Sequence, residues 1–230
     1  MILRQLFDVD SGTYTYLVAD EVSRRAALID PVREALVRDL TLVHELGLQL
    51  AYVLETHVHA DHVTSAGKIA ELTGALTAAS WLGAECAQVH LQHADVLQLG
   101  SVEIKALATP GHTKDSLSFL LQDNVFTGDA LFVRGTGRTD FQSVDARQLY
   151  DSITKTLFAL PDTTRVWPGH DYRGHTQSTI GEERRHNPRL PGKSRDDFIR
   201  IMSELELPPP RKIHEAVPAN LACGGAEARR

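Results

Sequence analysis

The pattern of hydrophobic and polar positions predicts short strands that alternate irregularly with short amphipathic helices. Residues 13–18 and 26–29 are predicted to be strands joined by a polar connection, so a β-hairpin or meander opens the chain. Apolar residues recur at helical spacing over 36–46 and are followed by Gly47, which is typical of a helix end. Residues 49–55 are predicted to form a buried strand that leads directly into a histidine-rich segment.

The same alternation continues through the rest of the chain. A helix is predicted over 66–73, and Gly100-Ser101 predicts a tight hairpin turn between two strands. The other predicted elements are strands at 76–79, 96–99, 102–107, 117–121, 125–127 and 165–167, helices at 149–157, 180–186 and 194–205, and a tail that includes 208–210 and the end from Ala222. This order suits a layered α/β or α+β fold. We expect one domain over 1–230 with a C-terminal helical and tail segment from about residue 176.

Composition and charge narrow the class of protein. Hydrophobic residues make up 42% and charged residues 23% of the 230 positions, which is the balance of an ordinary globular protein. The net charge of −6 argues against nucleic acid as a main partner, because phosphate binding draws on an excess of Lys and Arg. No apolar run approaches the roughly 18 residues of a membrane span. Residues 1–10 lack a secretory or transit pattern, so we expect a cytoplasmic protein.

Cys86 and Cys223 are the only cysteines, and they lie far apart in the sequence. Their spacing fits neither a CxxC metal site nor a disulfide framework. We therefore expect each of them to be a buried or incidental thiol.

Residues that can bind metals follow the ends of four predicted strands. Imidazole and carboxylate groups suit Zn²⁺ or Fe²⁺, and several strand ends can meet at one edge of a sheet. Taken alone, each of the later residues is also compatible with an ordinary turn, but together they indicate one site. The residues are His57, His59, Asp61 and His62 after the first strand, then His112, Asp129 and His170.

These residues lie in motifs that resemble those of the metallo-β-lactamase superfamily. Residues 56–62 have the sequence Thr-His-Val-His-Ala-Asp-His, which resembles the superfamily signature. Residues 110–113, 126–129 and 168–170 match its later metal motifs in order. The resemblance implies an α/β (α+β) fold built as a four-layer αββα sandwich, with two mixed β-sheets flanked by helices and metals at one edge between the sheets.

Other segments resemble the persulfide dioxygenases, also called sulfur dioxygenases, within this superfamily. They are 129–141 (ending in Gly137-Arg138-Thr139-Asp140-Phe141), 170–172, 182–184 with 187–190, and 216–220. The similarity runs from about Leu3 to about Gly224. Thr136 departs from the pattern, since the human-type enzymes carry cysteine there, and this puts in doubt a redox role at that position but no metal ligand.

The resemblance implies an iron-dependent dioxygenase that oxidises glutathione persulfide with O₂ to sulfite and glutathione, in sulfide oxidation and detoxification. One Fe²⁺ per subunit would be held by the catalytic residues His57, His112 and Asp129, which leave coordination positions open. Residues that orient these ligands from an outer shell would be His59, Asp61, His62, His170, Asp140 and Asp171. In dinuclear zinc relatives His59, Asp61, His62 and His170 bind a second ion. Family analogy further implies a homodimer and a sulfurtransferase as a candidate supplier of persulfide.

Glutathione carries two carboxylates, which calls for arginine and a polar aromatic in the substrate pocket. Arg138, Tyr172 and Arg189 are the candidates, because they lie in the matching motifs. The alternatives are that both arginines are solvated surface charges and that Tyr172 is a packed aromatic.

Glyoxalase II, a hydrolase of S-lactoylglutathione, is the alternative enzyme, because it shares the metal motifs. It normally adds a longer helical C-terminal domain, whereas only 60 residues follow His170 here. That difference and the segment 137–141 favour the dioxygenase. A non-catalytic structural zinc site is a third hypothesis, which the scarcity of cysteine disfavours.

Overall fold

The computed structural model describes residues 1–140, 145–210 and 212–225, and it contains two six-stranded mixed sheets. In the first sheet the strands lie in chain order. The first three are antiparallel and the last three extend the sheet in parallel. They are β1 (Ile2–Phe7), β2 (Tyr14–Ala19), β3 (Arg25–Ile29), β4 (Gln49–Leu54), β5 (Leu76–Ser80) and β6 (Val89–Leu91).

The second sheet contains the remaining strands, again in chain order across the sheet. Only the β10–β11 pair is parallel, and the other pairs are antiparallel. The strands are β7 (Val96–Leu99), β8 (Val102–Ala108), β9 (Leu117–Leu121), β10 (Asn124–Gly128), β11 (Arg165–Pro168) and β12 (Ser178–Thr179).

Helices cover the outer face of each sheet. They are α1 (Leu36–Glu45), α2 (Ala66–Thr73), α3 (Ala146–Asp151), which continues into a π-helical stretch (Ser152–Leu157), α4 (Ile180–His186), α5 (Arg195–Ser203) and α6 (Ile213–Leu221). The predicted capping box of α5 is present at Ser194 and Asp197. No described helix is long and apolar enough to cross a bilayer.

Three hydrophobic clusters account for the layers. Strand β2 is buried along its whole length, because its alternate side chains enter different clusters. Tyr16 and Val18 pack between the two sheets, while Leu17 and Ala19 pack under α1 and α2. A third cluster fills the space between the second sheet and α3, α4 and α5. The predicted four-layer αββα sandwich is therefore confirmed.

The C-terminal part of the chain differs from the sequence-based prediction in two ways. Cys86 and Cys223 form a disulfide, so the prediction of two separate thiols is wrong. Helix α6 lies between the two segments that were assigned to the tail, and the pattern did not predict it, because Pro218 lies inside it and proline removes a helical hydrogen bond. Long-range contacts, which local sequence rules do not contain, explain both differences. Phe141 and the residues after Gly225 lie outside the described residues.

Candidate metal centre

Histidine and aspartate side chains from four strand ends meet at one edge of the sandwich, where β4, β8, β10 and β11 finish. Donor atoms of His57, His112 and Asp129 lie within 4.8 Å of one another, and we call these residues the first donor set. Asp61, His62 and His170 lie beside them and form the second donor set. Their donor atoms are close as well, since Asp61 Oδ2 is 2.9 Å from His62 Nδ1 and 3.0 Å from His170 Nε2.

The hydrogen bonds behind His57 fix which of its nitrogens faces the site. Its Nδ1 lies 2.9 Å from Thr56 Oγ1, and the Thr56 hydroxyl donates its only proton to Asp30 Oδ2 at 2.8 Å. His57 Nδ1 must therefore donate to Thr56, which leaves the lone pair on Nε2. Burial and the neighbouring His59 ring hold the pKa of His57 well below its ordinary value, so the imidazole is neutral.

His112 and Asp129 are oriented in a similar way. His112 Nδ1 lies 2.8 Å from the carbonyl oxygen of Arg138 and must donate to it, so Nε2 carries the lone pair. That Nε2 lies 3.5 Å from Asp129 Oδ2. Burial opposes ionisation of Asp129, but the charge and the hydrogen bond of His170 outweigh this and lower the pKa of Asp129. The carboxylate is therefore ionised.

Two glycines make room for this arrangement. A Cβ atom on Gly137 would lie 2.0 Å from the carbonyl oxygen of Asp129 and 3.0 Å from His112 Nδ1. A Cβ atom on Gly169 would lie 2.7 Å from Asp129 Oδ1. Any other residue at either position would displace Asp129.

His170 connects the two donor sets. Its Nδ1 is 2.7 Å from Asp129 Oδ1, and its Nε2 is 3.0 Å from Asp61 Oδ2. Burial disfavours the charged ring, but the two carboxylates outweigh this effect and hold the pKa of His170 well above its ordinary value. The Thr13 hydroxyl also contacts the second donor set.

His59 lies between the second donor set and two acidic partners of its own, and its donor atoms are within 4.8 Å of those of Asp61 and His62. Its Nε2 lies 3.2 Å from Asp30 Oδ1 and 3.3 Å from Glu55 Oε2. Burial opposes protonation, but these carboxylates outweigh it and raise the pKa of His59 well above its ordinary value. Asp30, Glu55 and His59 could also hold an ion as far as their spacing is concerned. Asp30, however, already accepts hydrogen bonds from the backbone and side chain of Thr56.

Asn220 on α6 holds the loop that carries the histidines. Its side-chain oxygen accepts a hydrogen bond from Thr64 N at 2.8 Å, and its nitrogen donates to the carbonyls of His59 and His62 at 2.9 and 2.8 Å. The sequence pattern predicts no function for Asn220, Thr13 or Thr56. The only signal was that Thr56 and Asn220 lie within motifs that match the superfamily and the dioxygenases.

The structure places the remaining candidate residues around the rim of the site. Asp140 is exposed and pairs with Arg138, whose guanidinium also donates to the carbonyl of Pro208. The Asp171 carboxylate accepts from the backbone of the 173–175 turn. Asp140 and Asp171 are therefore bonded to Arg138 and to the backbone rather than brought against the first donor set.

Tyr172 and Arg189 occupy different positions. The Tyr172 ring is 76% exposed and stacks on His170, with 5.9 Å between ring centroids. It thus lies over the second donor set rather than in the core. Arg189 is half-buried and donates to the carbonyl and hydroxyl oxygens of Thr136. Burial and the charge of nearby Arg173 lower the pKa of Arg189.

The first donor set fits a divalent transition metal. It offers two imidazoles whose outer nitrogens are hydrogen-bonded and one ionised carboxylate, which is the ligand chemistry that such ions require. Fold and site together define a metal-binding α/β protein with an open centre at the edge of a β-sandwich.

Comparisons with known proteins agree with this class. The model of the metallo-β-lactamase superfamily matches residues 9–85 and 89–170, and the chain belongs to this superfamily. It is 47% identical to the mitochondrial persulfide dioxygenase ETHE1 of Bos taurus and 46% identical to that of Homo sapiens, in each case over 227 residues, 97% of this chain and 89% of the relative. The crystal structure of ETHE1 from Myxococcus xanthus is 59% identical, with a TM-score of 0.97 over 98% of this chain and 100% of that one.

Proposed function

We propose that the protein is an iron-dependent persulfide dioxygenase that converts glutathione persulfide, O₂ and water into glutathione and sulfite. The observation that carries this proposal is the first donor set, in which two imidazoles and one carboxylate have their metal-facing atoms fixed by hydrogen bonds. Two histidines and one carboxylate with open positions are typical of non-haem Fe(II) oxygenases. Relatives named persulfide dioxygenase, similar over nearly the whole chain, support the same reaction.

Fe²⁺ held by His57, His112 and Asp129 would supply the centre at which the persulfide and O₂ are brought together and activated. The protein's own contribution is orientation. Thr56 and the Arg138 carbonyl hold the two imidazoles from behind, and His170 holds Oδ1 of Asp129. Both atoms of O₂ enter the outer persulfide sulfur, and water supplies the third oxygen of sulfite. The inner sulfur leaves as the thiol of glutathione.

We place the glutathione part of the substrate beside Tyr172 and Arg189. Tyr172 offers an exposed aromatic face next to the site, and Arg173 and Arg189 give this side a positive charge that suits the two carboxylates. Arg138 contributes through its backbone carbonyl, which orients His112, and through the ion pair that its guanidinium makes with Asp140. A homodimer, a cytoplasmic location and a sulfurtransferase that supplies the persulfide remain parts of this proposal.

The experiment is O₂ uptake by the anaerobically iron-loaded protein supplied with glutathione persulfide. Hydrolysis of S-lactoylglutathione is followed in parallel with the same preparation. One O₂ consumed for each sulfite formed supports the dioxygenase. Thioester hydrolysis without O₂ uptake would replace the proposal with a glyoxalase II-type hydrolase.

A further inference from the structure

The hydroxyl group of Thr13 contacts all three members of the second donor set. Thr13 Oγ1 lies 2.9 Å from Asp61 Oδ2, 3.2 Å from His62 Nδ1 and 3.1 Å from His170 Nε2. The side chain is fully buried. One uncharged oxygen therefore lies within hydrogen-bonding distance of three atoms that could each serve a metal ion.

Two of these contacts, to Asp61 Oδ2 and to His170 Nε2, use atoms that a second ion would need. The third uses His62 Nδ1, and among the described residues His62 Nε2 has no hydrogen-bond partner. An ionised carboxylate can only accept, so the single proton of Thr13 is directed at Asp61, and the hydroxyl lone pairs face the two ring nitrogens. A ring nitrogen that donates to this hydroxyl carries a proton and has no lone pair for a metal. A second ion therefore has to break this cluster before it can bind to the three residues.

The backbone keeps the hydroxyl in place. Thr13 forms an isolated β-bridge with His170, and the next residue, Tyr14, donates its backbone N–H to the carbonyl of Gly169 at 2.8 Å. Threonine is also stiff about its first side-chain torsion. The turn that leads to Thr13 contains Gly12, which has a φ of +75°. A Cβ atom at this position would lie 2.9 Å from the Tyr172 ring, so the turn favours glycine.

The first donor set is held differently. Its imidazoles are hydrogen-bonded through their outer nitrogens, to Thr56 and to the Arg138 carbonyl. In the described part of the chain, no comparable hydroxyl bridges the atoms that His57, His112 and Asp129 turn toward one another. The first set is therefore ready to bind an ion, whereas Asp61 Oδ2 and His170 Nε2 of the second set are occupied by hydrogen bonds.

We propose that the Thr13 hydroxyl is a positioning group that keeps the metal centre mononuclear by holding Asp61, His62 and His170 in a hydrogen-bonded cluster. This inference rests on the proposed function, which needs a single ion with open coordination positions. Thr13 thereby determines how many ions the same superfamily motifs bind in this chain.

The test counts metal ions in Thr13→Val, which keeps the shape of the side chain and removes the hydroxyl. The iron-loaded wild type and the variant are equilibrated with buffered Zn²⁺, and total iron plus zinc per chain is measured by mass spectrometry. We expect the total to rise from about one ion to about two, since Asp61, His62 and His170 each lose one hydrogen-bond partner and can then complete a second site. Thr13→Ser keeps the hydroxyl and should remain near the wild-type value.

Thr15→Val is the matched control, because Thr15 is equally buried and its hydroxyl donates to the carbonyl of Asp30 at 2.8 Å, away from the second donor set. It should not change the ion count. One ion in a folded Thr13→Val protein would overturn the inference, and so would a hydroxyl-free Thr13 variant that does not fold, because the hydroxyl would then be structural. Two ions in the wild type itself would instead contradict the mononuclear centre of the proposed function.

Discussion

The two donor sets contain the same kinds of side chain, two histidines and one aspartate, but they are held in opposite ways. In the first set, hydrogen bonds reach each imidazole from the side away from the centre and leave the inner nitrogen with its lone pair. In the second set, one ring nitrogen of each histidine, the Asp61 carboxylate and the Thr13 hydroxyl bond to one another. From this difference we infer that the partners of the donors, and not the donors alone, decide where an ion binds.

Asp129 is a member of the first set and is hydrogen-bonded to His170 of the second set. Its replacement should therefore have the largest effect. Asp129→Asn removes the only carboxylate of the first set, so we expect iron content and O₂ uptake to fall nearly to zero. Asp61→Asn changes the second set only, and we expect it to retain iron with an affinity reduced by no more than about 100-fold, as for an outer-shell change. Metal analysis of both purified variants measures their iron content. Loss of iron from both would show that the two sets act as one site.

Thr56→Val removes the hydroxyl that accepts from His57 Nδ1 and donates to Asp30. Because this hydrogen bond fixes the tautomer of a proposed ligand, we expect iron affinity to fall by about 10- to 100-fold. Competition with a chelator of known affinity measures the change. Thr154→Val is the control, since its hydroxyl bonds the Tyr150 carbonyl away from the site. Equal affinities in the two variants would mean that the hydroxyl does not orient His57.

Asn220→Ala should weaken the loop behind the second set more than it weakens the first set. It leaves the N–H of Thr64 and the carbonyls of His59 and His62 without their partner, and we expect the free energy of unfolding to drop by about 1–3 kcal/mol. Urea unfolding of the iron-loaded protein measures this. Leu221→Ala, at a half-exposed neighbour on α6, should change stability little. If Asn220→Ala destabilises the protein no more than Leu221→Ala does, the hydrogen bonds of Asn220 do not hold the loop.

Ser11→Ala should have the smallest effect. Ser11 Oγ lies 2.8 Å from Thr13 Oγ1 and 2.6 Å from Asp8 Oδ2, so it supports the hydroxyl without touching the second set. We expect the affinity for a second Zn²⁺ to rise by less than about tenfold, in line with one hydrogen bond. A zinc titration compares it with Thr13→Val. A rise as large as in Thr13→Val would place the control of ion number at Ser11 instead.

Much of the fold was predictable because its elements follow local rules. The helices α1 and α2 and the strand β4 have the periodicity and glycine ends that the sequence predicts. The motif residues also come together as expected at one edge of the sandwich. The short strands β1, β6 and β12 were missed, because their pairing depends on neighbours in the sheet rather than on their own pattern.

The sequence by itself determined the superfamily, the layered architecture and the residues that can bind a metal, since these depend on motif order and on hydrophobic period. The tertiary structure decided which ring nitrogens face the centre, because Thr56 and the Arg138 carbonyl must first be brought beside His57 and His112. It also paired Cys86 with Cys223 across a separation of 137 residues. Thr13 meets its partners only when β2 and the end of β11 lie side by side, and no local pattern encodes that contact.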